Sequence, residues 1–392
     1  MKDKFNKPTV LSMFCGCGGL DLGFHQSGYD VLWANDINED ACLTYEHNLG
    51  NVVRGNIEDL EIPKIEDLDV LLSGFPCQSF SNAGNRKGIQ EKRGNLYKFT
   101  LKFIEELQPK VVMMENVRGL LSTKTENGFL LPEILESLSN MNYEVHFKLV
   151  NASHYGVPQN RLRVIVIALK KDIGLGKFHF PSPITDVDLS LKNTIFDIPE
   201  DTPNQDEMIK LNPQAIYLGS FVPEGGSWKD IPTDVLPERL KKIRDNMEKY
   251  RWPNFYRRFH RDEIAGTITA AFKPENAGVW HPTEDRVFTT REIARIQAFP
   301  DSFVFKGRTV KANYEMIGNA VPPKLSYAFA NCLKEVIEGK DIPKRENIRY
   351  FSKINFGSVP VRVGDAEVVF DFLEKEEQVE QVEQVELLIS NR

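Results

Sequence analysis

The chain is poor in cysteine: Cys15, Cys17, Cys42, Cys77 and Cys332 are all it has in 392 residues. A set this sparse and odd in number excludes a disulfide scaffold and fits a reducing cytoplasm. Cys15 and Cys17 form a CxC pair with no second Cys or His pair nearby, so no metal site is expected. Long apolar runs are also missing. Nothing approaches the roughly 20 residues a membrane span needs, so no membrane partner is expected. The opening MKDKFNKPTVLSMF returns to Cys and Gly after a short apolar stretch and reads as a first strand, not a signal peptide. Excess positive charge is lacking too. With 49 Lys and Arg against 56 Asp and Glu the net charge is -7, so any nucleic-acid contact has to come from a local basic patch. What remains, 41% hydrophobic and 27% charged, is a globular balance with length for two or three domains.

The first half alternates two kinds of pattern. Thr9–Met13, Val31–Ala34, Val52–Arg54, Asp69–Ser73, Val111–Glu115, Glu144–Val150 and Arg163–Leu169 read as strands. Leu20–Ser27, Ala41–Asn48 and Leu96–Leu107 have helical spacing. The alternation predicts an α/β fold with a parallel sheet and right-handed crossovers. After about residue 180 prolines break the periodicity, and a separate loop-rich domain is expected to about 288. Helical order returns at Thr290–Gln297 and Lys324–Ile337. The chain ends in an acidic near-repeat, QVEQVEQVE, which fits a short helix or a disordered tail.

Four strand ends carry chemistry. Phe14-Cys15-Gly16-Cys17-Gly18-Gly19 joins the first strand to the first helix, where a glycine turn lets backbone approach a ligand and the helix N-terminus favours a negative group. Asp36, after the second strand, suits a ribose diol, so the pattern reads as a nucleotide-like cofactor site. Gly74-Phe75-Pro76-Cys77 follows the fourth strand, at the end where open α/β sheets bind ligands. Cys77 is a candidate nucleophile that needs activation at neutral pH. Ser81–Gly94 follows as a glycine-rich, charged lid carrying Arg86, Lys87, Lys92 and Arg93, all suited to phosphate. Glu115 ends the fifth strand, where shelter from water would raise its pKa and let it donate a proton. Arg161 and Arg163 share one face of an extended segment. They fit a carbonyl oxygen or a phosphate, and an ion pair with Glu115 is the alternative that the spacing leaves open.

Taken together, FCGCGGLDLGF, GFPCQSFS, RGNLY, ENV, QNRLR, TREIARIQAFPDSF and IGNAVPP resemble the motifs of the DNA (cytosine-5)-methyltransferases of the bacterial restriction-modification type. They stand in that family's order over about 310 residues, and seven motifs in sequence are a specific signal. The resemblance implies a Rossmann-like S-adenosylmethionine-dependent methyltransferase sheet with a second, smaller, loop-rich target recognition domain. Its boundaries would be 1–184 for the first part of the catalytic domain, 185–310 for the recognition domain and hinge, 311–345 for the return, and 346–392 for a C-terminal extension with the acidic tail. Phe14, Gly16, Cys17, Gly18, Gly19, Leu20, Asp36, Ile37, Asn56, Ile57, Pro76, Leu96, Asn319, Ala320 and Val321 would bind S-adenosylmethionine, leaving S-adenosylhomocysteine as product. Cys77 would be the nucleophile, Glu115 the acid at cytosine N3, and Arg161 and Arg163 the arginines near the base. Two positions depart from the pattern. Asn56 replaces the usual Asp facing the adenine amino group but keeps a carbonyl acceptor. Ile37 stands where an aromatic is common.

The region from about 185 to 288 lies where that family carries its recognition domain. Arg251–Arg261 (RWPNFYRRFHR) interleaves cations with aromatics, which suits phosphate contact and groove insertion. Residues 239–249 read as a solvated helix face. Gln78, Ser81, Arg86, Arg93, Arg251, Arg257, Arg258, Arg261 and Thr267 are the DNA-binding candidates. Double-stranded DNA is the expected partner, bound by a monomer, with a cognate restriction endonuclease acting on the same site. The location expected is the bacterial cytoplasm, associated with the nucleoid. A transfer-RNA cytosine methyltransferase would share the catalytic motifs with a much smaller insert than the roughly 120 residues between Ala168 and Thr289. A DNA-binding protein with a dead site is opposed by intact Cys77, Glu115 and Arg161. A dehydrogenase is opposed by the missing GxGxxG, and an amino-methylating enzyme by the missing (N/D)PP(Y/F) strand end.

Overall fold

The computed structural model describes residues 7–76, 96–125, 128–184, 186–246, 255–270, 279–340, 348–351 and 367–370. Thr9–Met13 (β1) carries Val10, Leu11 and Met13 and is buried from Val10 onward, as a strand covered on both faces requires. It leads into Gly19–Gln26 (α1), Asp30–Asp36 (β2) and Glu39–Leu49 (α2). The side chain of Asn38 caps α2 by accepting from the Ala41 N–H at 3.0 Å. Val53–Arg54 (β3), Val70–Ser73 (β4), Leu96–Leu107 (α3) and Val111–Val117 (β5) continue the alternation. A small hairpin of Lys124–Thr125 (β6) and Gly128–Phe129 (β7) precedes Leu130–Asn140 (α4), Tyr143–Asn151 (β8) and Leu162–Lys170 (β9).

The main sheet runs β8-β9-β5-β4-β1-β2-β3, extended beyond β8 by Glu367–Phe370 and, outside it, Ile348–Phe351. Strands β1 to β5 pair in parallel, but β9 is antiparallel to both β5 and β8. The expectation of a parallel sheet is corrected there. Residues 152–161 are too few for a helical crossover, so β8 and β9 fold back on each other. Consecutive residues of β1 point to opposite faces. Leu11 packs with Leu71, Val112 and the α3 and α4 residues Phe103, Ile104, Leu131 and Leu135. Val10 packs with Val70, Leu72 and Phe24 of α1 on the other face.

The second half supplies Lys192–Ile195 (α5), Pro213–Gly219 (α6), Glu238–Asp245 (α7), Thr290–Ile296 (α8), Val310–Asn319 (α9) and Pro323–Ile337 (α10). Helix α10 returns to the catalytic sheet and lies against α1 through Leu325, Phe329 and Leu333. Residues 211–280 hold a core of their own, centred on Trp228, Ile231, Leu236, Tyr256 and Trp280. By contrast Leu191, Ile195, Phe259, Ala265, Ile268 and Val279 join Leu22, Ile293 and Phe299 in one cluster. The loop-rich part is therefore sewn into the sheet domain by its two ends. No helix among the described residues is long and apolar enough to cross a membrane.

Candidate active site

The turn after β1 is held in a conformation that ordinary residues avoid. Phe14 has φ +56°, Gly16 φ +56° and Gly18 φ +92°, and a non-glycine residue in the left-handed region costs on the order of 1–3 kcal/mol. Asp36 props this turn open: one carboxylate oxygen accepts from the Gly16 N–H and the other from the Asn38 N–H, both at 2.8 Å. Burial pushes the Asp36 carboxyl above its ordinary range. Each oxygen keeps a free lone pair, which leaves acceptors for a diol. A Cβ built on Gly16 would touch nothing within 4 Å, so the turn faces open space. A Cβ on Gly19 would lie 2.3 Å from the carbonyl oxygen of Val321, so α1 and the chain entering α10 meet backbone to backbone. Ile37 is 68% exposed beside this concavity, an apolar surface with little of the described residues covering it. Leu20, Ile57 and Val321 are buried around it; Asn56, Leu96 and Ala320 are half-buried, and Pro76 and Asn319 are exposed. The Asn56 side-chain oxygen accepts from the Glu58 N–H at 3.4 Å and so caps a short helical turn.

The end of β5 lies two strands from this turn, with β4 between them. Asn116 donates from its side chain to the Phe75 carbonyl at 2.9 Å and accepts from the Val117 N–H at 2.8 Å. It thereby fixes the chain just before Pro76 and Cys77. Sequence reading passed over Asn116, because it stands beside a carboxylate that drew attention first. Glu115 is buried, and Arg163 Nε donates to its Oε1 at 2.8 Å. The antiparallel register sets Val117 opposite Arg163, so the arginine lies diagonal to Glu115 on the neighbouring strand. Burial raises the Glu115 pKa, against the opposing pull of Arg163 and Arg161. A cleft of about 600 Å³ opens beside this pair, lined by Val117, Arg118, Gly119, Asn151, Asn160, Leu162, Arg163 and Thr267. The Thr267 hydroxyl donates to the Asn160 carbonyl at 2.7 Å, which ties the second half of the chain to the cleft wall.

A glycine turn for a nucleotide and, two strands along the sheet, a buried acid with a large cleft beside it form a group-transfer site at the ligand-binding end of an α/β sheet. The family model described as C-5 cytosine-specific DNA methylase matches residues 8–335. The Type II methyltransferase M.NgoFVII of Neisseria gonorrhoeae is 39% identical over 332 residues, covering 81% of this chain and 84% of that protein. The Type II methyltransferase M.Eco47II of Escherichia coli is 34% identical over 354 residues, with 85% and 80% covered. Among solved structures, the Dnmt2 methyltransferase of S. pombe superposes with a TM-score of 0.55 at 20% identity, over 84% of this chain and 99% of that one. The EhMeth methyltransferase of Entamoeba histolytica gives 0.53 at 19%, over 84% and 98%. The chain belongs to the C-5 cytosine-specific DNA methylase family. It is a DNA (cytosine-5)-methyltransferase, related to the Type II methyltransferases of restriction-modification systems.

Several residues of this methylase stand elsewhere than the sequence suggested. Cys77, Gln78, Ser81, Arg86, Arg93 and Arg251 lie outside the described residues. Arg161, expected at the base beside Arg163, is instead 1% exposed and turned inward, its guanidinium bonded to the carbonyls of Ile268, Gly318 and Ala320. Arg258, expected on DNA, is also corrected. It is 4% exposed, donates to Asp285 and to the carbonyls of His281, Glu284 and Gly219, and lies over the Trp280 ring. Arg257 donates to Glu263 at 2.6 Å and to two carbonyls. Arg261 is exposed and forks onto both oxygens of Glu224, at 2.8 and 3.0 Å. Arg118 escaped sequence reading altogether. It is exposed on the cleft, and its signal was a cation three residues after the strand-end Glu115.

Proposed function

We propose that this methylase transfers a methyl group to C5 of a cytosine flipped out of a short specific duplex sequence, through a transient bond between Cys77 and C6. The observation that carries the reading is the buried Glu115 beside Arg163 at the wall of an open cleft. S-adenosylmethionine supplies the electrophilic methyl group when bound. The turn from Phe14 to Gly19, with Leu20, Asp36, Ile37, Asn56, Ile57, Pro76, Leu96, Asn319, Ala320 and Val321, would hold it. The fit rests on the open backbone at Gly16, the free lone pairs of Asp36 and the exposed apolar face of Ile37.

Cytosine C5 is a poor nucleophile. The Cys77 thiolate adds to C6 while Glu115, its pKa raised by burial, holds a proton on N3. The ring then carries enamine character, and C5 takes the methyl group. Loss of the C5 proton expels the Cys77 sulfur and restores the aromatic ring. Arg163, which lines the cleft, would hold the Glu115 carboxyl in place beside it. The target base has to leave the stack to reach this geometry. Arg118 and Thr267 line the cleft mouth, where the flanking phosphates would pass. Residues 211–280 would serve as the core of the recognition domain. The methylated cytosine would protect host DNA from a cognate endonuclease cutting the same site, and the enzyme would act as a monomer.

Bisulfite sequencing of DNA from cells expressing the chain tests this reading. Protected cytosines confined to one short sequence support it, and unmodified DNA alongside labelled RNA contradicts it.

A further inference from the structure

Three buried side chains join four distant segments of the chain. Arg161 donates to the Ile268 carbonyl at 2.8 Å, to Gly318 at 2.7 Å and to Ala320 at 3.1 Å. Gln159 accepts from the Ile268 N–H at 3.0 Å and donates to the Gln297 side-chain oxygen at 2.5 Å. Gln297 donates to the Ala320 carbonyl at 2.6 Å. Gln159 and Gln297 are fully buried and Arg161 nearly so. Among the described residues no carboxylate bonds this guanidinium; Arg163 takes the hydrogen bond of Glu115.

The segments so joined serve different ligands in the proposed function. Thr267 lines the cleft, one residue before Ile268. Val321, one residue after Ala320, rests on Gly19 of the glycine turn. Between them there is no slack. A Cβ on Gly318 would lie 2.5 Å from the Thr269 carbonyl carbon and from the Ala270 nitrogen. Packed, hydrogen-bonded polar groups pass displacement on instead of absorbing it, and here both terminal nitrogens of Arg161 are bonded, its Nε alone having no partner among the described residues.

We propose that Arg161, with Gln159 and Gln297, is a positioning group that couples DNA in the cleft to the cofactor at the turn. Order imposed on Thr267–Thr269 by DNA reaches Gly318–Val321 through the guanidinium, and the reverse holds by thermodynamic reciprocity. This inference rests on the proposed placement of DNA and cofactor.

The test is S-adenosylhomocysteine affinity, by calorimetry, with and without a duplex bearing the site that sequencing shows the unaltered enzyme to methylate. Absence of any methylated site would refute the proposed function itself. With a site in hand, the unaltered enzyme is expected to bind S-adenosylhomocysteine at least about five-fold tighter on DNA. Arg161→Lys keeps the charge but loses the planar fork, and Gln297→Met keeps the volume but loses the amide. Both are expected to bring that ratio to within about two-fold of unity. Gln297→Met decides the matter if Arg161→Lys shows no cooperative melt. A ratio of one in the unaltered enzyme overturns the coupling. So does an unchanged ratio in the folded variants, with both affinities lowered in parallel, since a purely structural brace behaves that way.

Discussion

At the scale of single residues, burial decides what each ionisable group does. Glu115 has its pKa raised by desolvation, while Arg163 holds it in place. Glu115→Gln keeps the shape and loses the exchangeable proton. Methyl transfer is expected to fall by about 10²- to 10⁴-fold with cofactor affinity little changed, as single-turnover kinetics and calorimetry would check. Asp21 is a second buried acid, in the first turn of α1, accepting from Ser12 Oγ at 2.9 Å and Tyr45 Oη at 3.0 Å. Burial pushes its pKa up to about 6. The folded state therefore holds a proton that the unfolded chain releases nearer pH 4. The resulting stability is fully present below that lower value and is lost as pH rises through about 6, a change on the order of 3 kcal/mol. Asp21→Asn is expected to flatten the stability profile between pH 4 and 6.5, measured by urea unfolding. An unchanged slope would remove Asp21 from the account. The motif residues were legible in the sequence because glycine turns, strand ends and paired arginines carry their chemistry in their spacing. Burial was not. Spacing cannot separate Arg163, which faces Glu115, from Arg161, which turns into the body of the protein two residues earlier.

At the scale of elements, most strands of the sheet and its first helices follow from period, while strand direction does not. The strands of the first half and the helices from α1 to α3 stand within a few residues of where hydrophobic patterning put them. Helices α4, α5, α6 and α9 were missed. The first lies between a tiny hairpin and a strand, the next two are short pieces of the proline-broken stretch, and the last has Gly318 and Asn319 at its end, which blur its apolar stripe. The reversal at β8 and β9 was legible in principle, since ten residues cannot hold a crossover helix. The contact between α1 and α10 is the tightest of these packings. A Cβ at Gly23 would lie 2.0 Å from Ser326 Oγ and 2.4 Å from the Tyr327 nitrogen. Gly23→Ala, though favourable to an isolated helix, is expected to destabilise the enzyme by about 1–3 kcal/mol or more. Thermal unfolding reads this directly, and a higher melting temperature would contradict it.

At the scale of the whole molecule, the net charge of -7 leaves DNA binding to a few well-placed cations. Arg258 is not one of them, because Asp285, three carbonyls and Trp280 already occupy it. Arg258→Ala is expected to cost about 2–4 kcal/mol of stability through lost packing and unpaired carbonyls. Arg118 is exposed on the cleft. Arg118→Ala is expected to leave stability unaltered and to lower the slope of log K against log salt by about one. A fluorescence-anisotropy titration in graded salt separates the two variants. The basic run 251–261 was legible as a cluster. Which of its members are spent on acids depends on Glu263 just past the run and on Glu224 and Asp285, brought in from other parts of the chain. The central claim concerns one sulfur and one pyrimidine carbon. A duplex carrying 5-fluorocytosine at the methylated position, incubated with enzyme and S-adenosylmethionine, tests it most directly. The account predicts a complex that survives denaturing electrophoresis and is absent with Cys77→Ser. Free protein in both lanes, or trapping that persists without the Cys77 thiol, would contradict it.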